Sequence, residues 1–172
     1  MTAASALACI PVGVVVERRK AASPWIDVVW RPVSVLAGAP EAAPWTMLEA
    51  KDDRASFYAG AAEIALYRTE TAHYRDNLSS GRPSLWVSLR PTGVEPPFEI
   101  VAVTADPAEG ESFTQAGDDL VEAVPMPPAV HAIVQAFVAE HHVERPFVKR
   151  KRERADPQAL ARNAPLEKDR HR

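Results

Sequence analysis

The chain has 172 residues, 47% of them hydrophobic, which is enough for a single domain with a packed core. No apolar run approaches the ~18 residues that a membrane-crossing helix needs. One cysteine excludes a disulfide framework and a multi-cysteine metal site, and 16 prolines against 7 glycines point to rigid turns rather than phosphate-cradling loops. The net charge of −3 hides an asymmetry: residues 1–144 carry 10 Lys and Arg against 19 Asp and Glu, whereas residues 145–172 carry 10 against 4. An acidic body with a basic tail suggests a tail that touches its own body or an acidic partner.

Ala6-Leu7-Ala8-Cys9 faintly resembles a lipoprotein cleavage site. No Lys or Arg precedes Cys9, and no apolar region of about seven residues does either, so a cytoplasmic protein is expected. Cys9 reads as a small apolar residue opening a strand.

Ile10–Glu17 is β-branched and short, the signature of a buried strand. Trp25–Leu36 follows as a second strand, with Ile26, Val28 and Trp30 on one face and Asp27, Val29 and Arg31 on the other. Pro32 within it predicts an edge position or a bulge. Thr46–Ala50 reads as a short third strand.

Glu63–Leu78 contains neither Gly nor Pro. Tyr67, Thr69, Thr71, His73 and Arg75 share one period-two row, which favours a long strand, with helix as the alternative. Ser79-Ser80-Gly81 then turns the chain into Ser84–Arg90, and the pair reads as a hairpin. Phe98–Thr104 is another buried strand.

Asp106-Pro107 is an N-cap and first-turn pair, predicting a helix through Ala116 that stops at Gly117. Leu120–Val124 suggests a short strand. From Pro127-Pro128, Val130, Ile133, Val134, Phe137, Val138 and His141 fall on one helical face, and Pro146 ends the run. The expected architecture is mainly β (α+β): an antiparallel meander forming a curved sheet or small barrel, with a C-terminal amphipathic helix packed on it. Residues 1–9 read as an extension, 10–148 as the domain, and 149–172 as a basic tail expected to be disordered.

Catalytic signatures are missing from the sequence. His141 and His142 point ~100° apart on a helix, and His131 lies ten residues from His141 instead of four. No Gly-x-Ser-x-Gly elbow or glycine-rich phosphate loop occurs. Asp52-Asp53 and Asp118-Asp119 read as solvated loop pairs. No metal or cofactor is therefore expected.

Two features suggest binding. Lys149, Arg150, Lys151 and Arg152 form a basic cluster suited to an acidic protein or to plain solvation. Nucleic acid is disfavoured, because the acidic body repels it beyond a Debye length of ~8 Å and no aromatic residue interleaves with the cluster. The four tryptophans are expected in the core, except that Trp25 and Trp30, five apart, would face opposite sides of a strand. An exposed one beside Arg18, Arg19 and Arg31 would make a partner-binding anchor.

Three stretches carry a family likeness: Ile10–Val35, Phe98–Pro107 (FEIVAVTADP) and Asp119–Arg152. They resemble a bacterial family of unknown function encoded beside formate dehydrogenase genes. Some of its members are labelled molybdopterin-guanine dinucleotide biosynthesis protein A. The guanylyltransferase which that label denotes opens with a strand and a glycine-rich loop for GTP. Here the first strand runs into Glu17-Arg18-Arg19-Lys20, with no further glycine until Gly38. The resemblance implies an accessory protein whose partner is a formate dehydrogenase subunit or maturation factor. An enzyme acting on the molybdenum cofactor or a nucleotide is the alternative.

Overall fold

The computed structural model describes residues 5–115 and 117–144. Every secondary-structure element of the described residues lies in the unit Met1–His142; of a second unit, Val143–Arg172, only the first two residues are described.

Strands β1 (Ala8–Lys20), β2 (Val28–Ala37), β3 (Thr46–Lys51) and β4 (Arg54–Leu66) form an antiparallel sheet in the order β2-β1-β4-β3. Strands β5 (Ser84–Pro91), β6 (Phe98–Thr104) and β7 (Leu120–Pro125) form a second antiparallel sheet, ordered β6-β5-β7. Helices α1 (Thr71–Ser79), α2 (Pro107–Phe113) and α3 (Pro128–His141) complete the fold. The mainly β expectation holds, but the sheets do not close into a barrel and the strands are not a simple meander. Instead β1 sits between β2 and β4, leaving β2 and β3 as opposite edges.

The β-branched run of β1 explains its central place. Val12, Val14 and Val16 are fully buried, and they join Ile64 and Leu66 of β4 and Leu85, Val87 and Leu89 of β5 in one core. Burying each such side chain contributes roughly 1.5–3 kcal/mol. Cys9 lies at the start of β1, as expected, and is exposed. Pro32 sits on edge strand β2, where the register with β1 slips between Val15 and Val16, so its missing N–H costs no ladder bond in the sheet interior.

The chief correction falls on Glu63–Leu78. Strand β4 ends at Leu66, a 3₁₀ turn covers Arg68–Glu70, and α1 follows. Consequently β4 and β5 make no hairpin, and among the described residues β5 pairs only with β6 and β7. Tertiary contacts override the β preference of Thr and Tyr here. Thr71, Tyr74 and Asn77 are buried at helical spacing. Asn77 Nδ2 donates to Ser84 O (2.8 Å) and Ala105 O (2.9 Å), and its Oδ1 accepts from Ser84 N–H (3.0 Å). Tyr74 packs edge-on against Phe137, centroids 6.2 Å apart, which ties α1 to α3. Burial pushes the Tyr74 phenol up to about 12, and its oxygen accepts from Tyr67 N–H.

Helix α2 is capped as expected, Asp106 Oδ1 accepting from Ala108 and Glu109 N–H, but it ends at Phe113, short of Ala116. Gly110 lets it lie on β5: a Cβ there would stand 2.2 Å from Trp86 Cγ. On α3, Val130, Val134 and Phe137 are buried, while Ile133 is exposed. No helix among the described residues is long and apolar enough to cross a membrane.

Candidate partner-binding face

Beyond Val16, β1 leaves the core and its residues turn exposed. The register sorts the side chains of this end onto two faces. Arg18 pairs with Trp30 and Ala55, Val16 with Phe57, and Met47 with Phe57, which places them on the face that continues the core. Glu17 pairs with Arg31 and Ser56, and Arg19 with Val29 and Arg54, on the opposite face.

The first face carries an aromatic cluster. Trp30 meets Trp45 edge-on at 5.8 Å, Phe57 at 5.6 Å and Phe98 of the second sheet at 6.1 Å between centroids. The Arg18 guanidinium carbon lies 5.8 Å from the Trp30 centroid and 5.7 Å from that of Phe57, a cation–π arrangement on both rings. Trp45 holds φ at +66°, a left-handed conformation costly for a bulky residue. Its N–H to the Tyr58 carbonyl and its contacts with Trp30 and Phe57 hold it there. Around the cluster Met47 is 53% and Val28 41% exposed. Trp25, 91% exposed, lies in the connection before β2 and not on a strand.

The sequence-named residues are thus divided. Arg18 and Trp30 come together; Arg19 and Arg31 stand on the other face; Trp25 is exposed but off the sheet. The other face forms an open groove lined by Glu17, Glu49, Lys51, Asp52, Asp53 and Arg54, with Arg54 3.9 Å from Glu17. Lys149, Arg150, Lys151 and Arg152 lie outside the described residues. Phe57 and Met47 carry no sequence signal as site residues, because only strand pairing brings them to this face, and Trp45, expected in the core, reaches Trp30 from the turn before β3.

A polar cluster joins the helices at the other end. His73 Nδ1 lies 3.0 Å from Asp106 Oδ2 and 3.2 Å from Glu70 Oε2. These three groups have the atoms to hold a cation. However, Asp106 Oδ1 already caps α2 and Oδ2 holds His73, so a clamp between α1 and α2 accounts for the arrangement. The hydrogen bond to Asp106 raises the His73 pKa above 6.5, opposed by desolvation. Its 33-residue span leaves no local sequence signal. On the same helix, Thr71 Oγ1 donates to Arg68 O and accepts from His142 Nδ1 (3.1 Å), and His142 Nε2 accepts from Arg75 (2.9 Å). Asp119 also departs from expectation. Its side chain is 6% exposed and accepts two 3.0 Å bonds from Arg90, rather than being solvated.

Residues 11–151 match the family model described as "Protein of unknown function (DUF3305)", and the chain belongs to that family. Neither a curated protein nor a solved structure matches it.

Proposed function

We propose that this DUF3305 chain is a non-catalytic binding protein of the cytoplasm that serves a molybdenum-containing formate dehydrogenase, contacting the enzyme or a factor that matures it. The identity of the partner rests on the likeness of Ile10–Val35, Phe98–Pro107 and Asp119–Arg152 to proteins encoded beside formate dehydrogenase genes. The observation that carries the binding role is the Trp30–Trp45–Phe57 cluster under Arg18, flanked by exposed Met47 and Val28. Half-buried aromatic rings with an arginine are the residue types that anchor protein interfaces.

The competing enzyme reading would gather Arg18, Arg19 and Arg31 around a polyanionic pterin or nucleotide. Their division between two faces gives that reading no support.

Affinity capture from native lysate tests the proposal, together with formate dehydrogenase activity in a deletion strain. The expected result is recovery of a formate dehydrogenase subunit or maturation factor, and lowered activity in the deletion. Recovery of neither, with normal activity, overturns it. Reproducible thermal stabilisation by GTP or a pterin would favour the enzyme, through mass action on the folded state.

A further inference from the structure

We infer that the aromatic face of the first sheet takes an acidic segment of a partner protein, one in which carboxylates flank an aliphatic or aromatic anchor. The inference rests on the binding role proposed above and states the chemistry of its occupant.

Charge is what decides the occupant. From Val16 outward, the paired positions on this face carry two cations, Arg18 and Lys20, and no carboxylate. Lys20 pairs with Val28, two positions from Trp30, so the second cation borders the exposed edge of the cluster. The acidic groups at this end of the same strands, Glu17 and Glu49, point to the opposite face. Residues 1–144 as a whole hold 19 acidic against 10 basic side chains. The face is therefore a cationic, apolar island on an acidic body. The opposite face of these strands also holds cations, Arg19, Arg31, Lys51 and Arg54, but sets them among Glu17, Glu49, Asp52 and Asp53, so an acidic segment with an apolar anchor is steered to the aromatic face. Once docked, its carboxylates meet Arg18 and Lys20, and its anchor covers Met47 and Val28. Single-stranded nucleic acid suits the face less well. Its bases need open ring faces, whereas Trp30 and Phe57 are already covered by Arg18 and tilted against one another.

Fluorescence anisotropy of the full chain with labelled synthetic probes provides the test. The probes are a short peptide of Asp and Glu around Phe and Leu, the same anchors among Lys, the same acids among Ser and Gly, and a single-stranded RNA. The acidic apolar peptide alone should bind, and more weakly as salt rises. Arg18→Glu and Met47→Glu should each weaken it about tenfold. Ile133→Glu on α3 should leave it unchanged, and thermal melting should show all three variants folded. The inference is overturned if no peptide binds, if either control peptide binds as well, if RNA binds more tightly, or if both face variants bind normally. Undiminished capture of a formate dehydrogenase subunit by Arg18→Glu and Met47→Glu would sink this inference and leave the accessory role standing. Peptide binding without such capture would do the reverse.

Discussion

The helical end and the strand end of the molecule treat their side chains in opposite ways. At the helical end polar groups satisfy one another: Asn77 makes three hydrogen bonds to backbone, Asp106 divides its oxygens between a helix cap and His73, and His142 bridges Thr71 and Arg75. At the strand end, apolar groups extend past the core into water, with Met47 and Val28 exposed beside half-buried rings and Trp25 exposed in the connection before β2. A satisfied polar cluster holds a fold together. An unsatisfied apolar face costs free energy until something covers it. Under the proposed binding role, the contrast assigns architecture to one end and recognition to the other.

Breaking the helical end should bring the largest losses of stability. Asn77→Ala leaves Ser84 and Ala105 backbone groups without partners, and should cost about 2–3 kcal/mol in urea unfolding. If Asn77→Ala unfolds like wild type, the three bonds do not hold α1 in place. Gly110→Ala comes next. Its Cβ would press on the Trp86 ring, at 2.2 Å from Cγ, and should cost about 1–3 kcal/mol as α2 lifts from β5. An unchanged melting temperature would mean that α2 does not lie that close.

The His73 clamp sharpens the comparison through pH. Its pKa is raised in the folded chain, so its stabilisation is full below 6.5 and is lost as pH rises through the higher folded value. His73→Gln should therefore destabilise the protein at pH below 6.5 and matter little once His73 is neutral in both states. Because the ring is about half exposed, the effect is small. A mutational effect that grows with rising pH would contradict the assignment. Smallest of all, Trp25→Ala should change stability by less than about 0.5 kcal/mol, because 91% of the residue already faces water.

How much of this was legible follows the range of each interaction. The run Ile10–Val16, the strand Phe98–Thr104 and the Asp106-Pro107 helix start announce themselves through local residue types and stand where expected, but of Phe98–Thr104, expected to be buried, only Val103 and Thr104 are. Residues 63–78 misled because Tyr67, Thr69 and Thr71 suit a strand locally. What makes 71–79 a helix is Asn77 reaching Ser84 and Ala105, and Tyr74 reaching Phe137. The candidate site was half visible. Arg18 and Trp30 were identifiable as chemistry, but their pairing is a fact of β1–β2 register. That same register sends Arg19 and Arg31 away. Phe57 and Met47 join only through β4 and β3, which no local pattern encodes.

Hydrogen–deuterium exchange of the full chain, alone and with the formate dehydrogenase component proposed as its partner, tests the division most directly. Slowed exchange should concentrate in the outer half of β1, in Val28–Arg31 of β2 and in β3, with α1 and α3 unaltered. Protection centred on the helices, or none on these strands, would contradict it.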